Sequence, residues 1–188
     1  MRKLWLYLMF WWRSTNQHGI HSPFVFAMVT KCFYSKKNET IYSKLDNKSK
    51  DFKRAKFLCR FVKYFNFKTI YYPQHLSKNF KIALSSNPDS VVKIYSENVT
   101  HKLSFSKKDF FFFKSLPLNQ VEEFNQLLEQ CGDDSIVMIE DFRLSPRQFK
   151  YWKYLKSNPN VRVSIDTYFF GILCFRKEQN KEHFTIRL

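Results

Sequence analysis

His18 and His21 stand three residues apart, with Gly19 between them and Ser22 following. Imidazoles at that spacing suit a pair of metal ligands or the mouth of a substrate pocket. A metal needs further donors, and no histidine-rich partner segment occurs elsewhere in the chain. The plainer expectation is that these histidines tie the N-terminal helices to the rest of the fold by hydrogen bonds. A second concentration of reactive groups is Glu140-Asp141, which closes the apolar run Ile136–Ile139. Successive side chains at a strand end point in different directions, so the two acids are not a ready general acid–base pair. The simpler reading is that one caps the following loop and the other meets solvent. The chain has no Gly-x-Ser-x-Gly elbow and no phosphate-binding P-loop. Asp166 belongs to a strand-end turn. Cys32, Cys59, Cys131 and Cys174 form no Cys-x-x-Cys pair, which excludes the common zinc and redox spacings. Cys59 and Cys174 sit inside apolar runs and read as buried free thiols, pointing to the cytosol.

The elements that must position these groups follow from hydrophobic periodicity and punctuation. Residues 1–13 read as a helix whose Trp5, Tyr7, Trp11 and Trp12 would suit a membrane surface. Its apolar core is too short to span a bilayer, and it lacks the small residues of a signal-peptide cleavage site. Ser22-Pro23 predicts an N-cap with proline at the first helical position, opening a helix that fades near Tyr34. Residues 35–50 are polar and lysine-rich, the expectation for a mobile loop. Phe52, Ala55, Leu58, Cys59, Val62 and Phe65 recur at helical spacing, with Lys53, Lys56, Arg60 and Lys63 on another face. Strands are then predicted at Lys68–Tyr72, Val91–Tyr95, Asp109–Phe113, Ile136–Ile139, Val161–Tyr168, Gly171–Phe175 and His183–Leu188. Helices are predicted over Ser77–Leu84, from Pro117 to a C-terminal cap at Gly132, and from Ser145-Pro146 to Asn158-Pro159. Four consecutive phenylalanines, Phe110–Phe113, imply a strand buried on both faces.

The 188 residues make one domain with a real core, comprising N-terminal helices (1–34), a polar loop (35–50) and an α/β core (51–188). Alternating buried strands and helices imply a mostly parallel sheet. The tight link between Tyr168 and Gly171 demands an antiparallel C-terminal hairpin. Net charge is +16. Residues 1–108 carry 21 Lys or Arg against 5 acids, and residues 109–188 carry 11 against 11. Such asymmetry fits a polyanion partner, either nucleic acid or an anionic membrane surface, or a compositional bias towards lysine.

Three stretches carry a resemblance. Asn16–Phe26 (NQHGIHSPFVF), Ser135–Ser145 (SIVMIEDFRLS, including Arg143) and Val161–Leu188 are similar to corresponding segments in a group of class I S-adenosylmethionine-dependent methyltransferases of Bacteroidetes-type bacteria. The resemblance implies a Rossmann-like methyltransferase sheet, contracted in the middle. It also implies a cofactor or substrate pocket formed by His18, His21, Tyr72, Gln74, Tyr95, Glu97, Glu140, Asp141 and Arg143. The departures are as informative. Where the family has a glycine-rich turn after the first strand, this chain has Tyr71-Tyr72-Pro73-Gln74-His75-Leu76-Ser77, and its glycines are Gly19, Gly132 and Gly171. The ribose-binding acid is replaced by Tyr95, with Glu97 two residues on, and an aspartate expected after the fourth strand is replaced by Lys114. These losses imply a vestigial pocket, no bound cofactor and no catalytic residues. The resulting expectation is a cytoplasmic binding or partner subunit, membrane-peripheral in one variant, whose partner the sequence leaves open, a protein being one option. The alternatives are an active S-adenosylmethionine-dependent methyltransferase with an atypical loop, and a basic module binding nucleic acid or membrane through Lys53, Lys56, Arg60 and Lys63.

Overall fold

Seven strands form one mixed sheet in a computed structural model that describes residues 2–37, 39–95 and 105–188. They are β1 (Thr69–Pro73), β2 (Val91–Tyr95), β3 (Asp109–Phe113), β4 (Ile136–Ile139), β5 (Val163–Asp166), β6 (Gly171–Cys174) and β7 (Glu182–Thr185). Their order across the sheet is β2-β1-β3-β4-β6-β5-β7. β6 runs antiparallel to both neighbours, and every other pair is parallel. The chain leaves β1 for β2 on one side and returns to β3 on the other. That reversal creates a crevice at the carboxyl ends of β1 and β3, the place where open α/β sheets take ligands.

The phenylalanine run shows how sequence sets the layers. Phe110 and Phe112 face one core with Ile70, Tyr72 and Met138. Phe111 and Phe113 face the other with Tyr71, Val137 and Ile139. The first core is covered by α2 (Pro23–Met28), α3 (Phe52–Phe65) and α4 (Lys78–Leu84), the second by α5 (Val121–Gln130) and α6 (Pro146–Ser157). On α3, Leu58, Phe61 and Val62 are fully buried, each contributing about 1.5–3 kcal/mol of transfer free energy. Ser22 accepts from the Val25 amide and places Pro23 at the first helical position, as its sequence requires. A π-helical turn over Val29–Phe33 continues α2 to Tyr34.

α1 (Arg2–Arg13) lies at the β5–β6 end of the sheet. Its Tyr7 and Phe10 rings pack on Tyr168, with centroids 5.0 and 5.4 Å apart. Tyr168 opens the two-residue turn between β5 and β6 and has a φ of 71°. A positive φ at the first central residue is the pattern of a II′ hairpin turn, a position that favours glycine. A bulky residue there is strained.

The structure corrects several expectations. Residues 35–50 are not a featureless loop: Thr40–Lys44 forms a 3-10 turn because Tyr42 and Leu45, isolated in a polar stretch, are buried in the first core. Pro117 does not open a helix. A turn over Pro117–Gln120 intervenes, and α5 begins at Val121. Gly132 is no left-handed cap, since no glycine has positive φ. It is required because an added Cβ would lie 2.7 Å from the Lys107 Cα. Gly171 likewise leaves room for the Trp152 ring, 2.7 Å from where a Cβ would stand.

Candidate functional site

The carboxyl edge of the sheet is where the crevice between β1 and β3 should open, and there Tyr95 spans the gap while a charged cluster forms at the neighbouring ends of β3 and β4. Pairing of β1 with β3 ends at Tyr71↔Phe111, two residues before Pro73, which has no N–H to donate. Tyr95, at the end of β2, reaches across this gap and donates its hydroxyl to the Phe112 carbonyl at 2.7 Å. Burial pushes the Tyr95 phenol well above its ordinary value. A neutral donor committed to backbone is a different group from a ribose-binding carboxylate.

Next to it, Glu140 follows β4 with its side chain wholly buried. Arg54 of α3 and Lys114, just after β3, each bond one of its carboxylate oxygens. Lys114 also lies 3.2 Å from the partly exposed Asp141. Both cations stand over the Phe80 ring at 5.8 Å, and Arg54 also faces Phe169 at 5.9 Å. Burial raises the Glu140 pKa, and the two cations offset only part of that effect. Burial works against charge on Lys114, but its bonds to Glu140 and Asp141 prevail and raise its pKa. The lysine that reverses the expected aspartate is therefore the partner of the buried glutamate.

The segment after β1 is tied down as well. Gln74 is exposed, and its backbone N–H donates to the Tyr95 carbonyl, prolonging the strand pairing. Tyr72 is buried, with its hydroxyl 3.5 Å from Ser85 Oγ. Ser77 accepts from the Phe80 amide to cap α4 and donates its own hydroxyl to Asp51 at the start of α3. Asn79 donates to Asp51 at 2.9 Å, and its carbonyl oxygen accepts from the Asp46 amide at 2.8 Å. Burial alone would raise the Asp51 pKa, but bonds from Ser49, Ser77 and Asn79 and the charge on Arg54 hold it low. A glycine turn leaves bare backbone open to a ligand, whereas this turn presents side chains bonded to α3.

The expected pocket residues are thus not brought together in one place. Tyr72, Gln74 and Tyr95 meet at the ends of β1 and β2, and Glu140 and Asp141 at the end of β4. Glu97 lies outside the described residues. Arg143 sits farther along the edge, bonded to Asp166 and the Tyr168 carbonyl and held among the rings of Phe10, Phe142, Phe149 and Tyr168. His18 and His21 are exposed. They lie between Thr15, whose amide bonds Thr185, and Ser22, whose hydroxyl bonds Gln179. Both are therefore on the β7 side of the sheet, opposite β2. The bonds tying this segment to the fold come from Thr15 and Ser22.

The basic face of α3 is largely occupied. Arg60 donates to the carbonyls of Cys32 and Phe33, Lys63 pairs with Glu39, and Lys56 lies 4.4 Å from the Tyr42 ring. Lys53 is exposed. All four cysteines are free thiols, and burial pushes Cys59 to about 11 and Cys32 and Cys174 to about 12. Among the described residues, no group of three or more His, Cys, Asp or Glu could hold a metal.

Sequence reasoning missed Arg54 and Asp51. Arg54 shares a helical face with Leu58 and Phe61, both fully buried, since residues four and seven apart align. A cation on a buried face requires an acid, and that was the available signal. Comparison with protein-family models, curated proteins and solved structures finds no match to this chain.

Proposed function

We propose that the chain is a methyltransferase-like scaffold that does not bind S-adenosylmethionine and acts as a non-catalytic binding or partner subunit. The sheet order supports the Rossmann-like part of this reading. The topological reversal lies at β1 and β3, and a single antiparallel strand, β6, is inserted between β4 and β5. The outline is contracted: only 13 residues separate β2 from β3, and β2 pairs only with β1 among the described residues.

The observation that carries the loss of cofactor binding is the cluster beside the switch point, at the carboxyl ends of β3 and β4, in which Arg54 and Lys114 bond the buried Glu140. A ligand entering there would have to displace a carboxylate from two cations and open the Ser77–Asp51 tie. Calorimetric titration of the full chain with S-adenosylmethionine, and separately with S-adenosylhomocysteine, tests this reading. No saturable heat is expected at high ligand concentration. Specific binding at micromolar or tighter affinity, weakened by Glu140→Gln, would replace it with an active enzyme whose loop is built without glycine.

A further inference from the structure

The packed side of α1 accounts for only half of the helix. Phe10 is buried, and on the opposite side Leu4, Trp5, Leu8, Trp11 and Trp12 are exposed, Leu4 at 65% and Trp12 at 80%. At 3.6 residues per turn these five side chains fall within an arc of about 120°. A contiguous apolar stripe of that kind marks an interaction surface.

Its surroundings carry one sign of charge. Residues 1–38 contain no acid and six Lys or Arg, among them Arg2, Lys3 and Arg13. Residues 142–165, which include α6, contain no acid and six more. The two segments meet: Leu6 of α1 lines a cavity of about 200 Å³ with Arg143, Pro146, Phe149, Lys150 and Lys153. Arg187 stands 5.3 Å from the Trp11 ring. Asp166, at the end of β5, is bonded to Arg143. Burial lowers the Lys156 pKa, Asp166 works against that, and the neighbouring Lys153 and Arg143 add to the lowering. The balanced charge of residues 109–188 is therefore segregated, with the cations of α6 beside α1.

We infer that this face docks on an anionic lipid bilayer. Tryptophans on one face of a helix with cations at its margins are the composition of a segment lying in the membrane interface. The 12-residue helix is about 18 Å long, against a hydrocarbon core of roughly 30 Å, so it lies in the plane of the surface. Among the described residues no helix is long and apolar enough to cross a membrane. The inference stands apart from whether the sheet edge binds a cofactor.

The test is flotation of the full chain with phosphatidylcholine vesicles and with vesicles in which roughly one third of the lipid is phosphatidylserine. Tryptophan fluorescence is read in parallel. Trp152 is already buried, so a blue shift reports Trp5, Trp11 and Trp12. The chain is expected to float with the anionic vesicles, shift its emission and be released by salt. Trp5→Ser with Trp12→Ser should reduce partitioning at least tenfold, with circular dichroism unchanged because both side chains are exposed. Lys150→Glu with Lys153→Glu should weaken it about fivefold or more per site. Equal flotation with both vesicles, flotation with neither, or full binding by the tryptophan variant would overturn the inference. So would a dimer in sedimentation that hides these tryptophans and does not float.

Discussion

Glu140 and Asp51 are buried carboxylates at the same edge of the sheet, and they answer to pH in opposite directions. Asp51 is held below its ordinary 3.8, so its contribution is present above that value and is lost as the pH falls through the lowered one. Asp51→Asn should therefore cost about 1–2 kcal/mol near neutrality, with the deficit in urea unfolding shrinking in acid. A deficit independent of pH would contradict this account. Glu140 is raised above 4.5, so its contribution is greatest below that value and declines as the pH rises through the raised one. Its partners differ in a way that ranks their variants. Arg54 and Lys114 reach solvent, with side chains 27% and 50% exposed, whereas the carboxylate has no exposure. Glu140→Gln frees two cations that can turn outward, and should cost less than about 1.5 kcal/mol. Arg54→Met leaves a buried charge half-compensated and should cost about 2–4 kcal/mol. Urea unfolding of the two variants side by side checks the order, and the reverse order would mean that the cations are trapped.

Among the elements, the β5–β6 turn and α1 depend on each other. Tyr168 holds a backbone conformation costing on the order of 1–2 kcal/mol, and its ring is what α1 packs on. Tyr168→Gly should relax the turn and release the helix. Hydrogen exchange is expected to speed up in α1 while β5 and β6 stay protected, and unchanged α1 protection would refute the coupling. The same elements show what a sequence reveals. β2, β3 and β4 match their predicted limits because short runs of β-branched and aromatic residues flanked by polar ones admit little else. α6 was legible from Ser145-Pro146. The 3-10 turn at Thr40–Lys44 was hidden because two buried residues, Tyr42 and Leu45, make no periodic pattern. The start of α5 was misplaced because Pro117 opens a turn as readily as a helix. At the site, Lys114 and Glu140 were visible individually, but their pairing depends on β3 lying beside β4. Arg54 joins them from a helix 86 residues away in sequence. Contacts of that range leave no local spacing to read.

For the molecule as a whole, a net charge of +16 on 188 residues means that repulsion works against compactness. Moderate sodium chloride should therefore stabilise the fold by about 1 kcal/mol, or roughly 2–4 °C in Tm, while releasing it from anionic lipid. Scanning calorimetry at low and moderate salt measures the first effect, and a Tm that falls with salt would show that ion pairs outweigh the repulsion. The anchoring of α1 also has a consequence in time. Behind the helix, Thr15 is bonded to Thr185, 170 residues along the chain. That bond cannot close until the last strand has been synthesised, roughly 10–35 seconds after Thr15 at ordinary rates of translation. For most of that interval the helix has emerged without its clasp or its Tyr168 seat, and its tryptophans meet their surroundings before the domain behind them has formed.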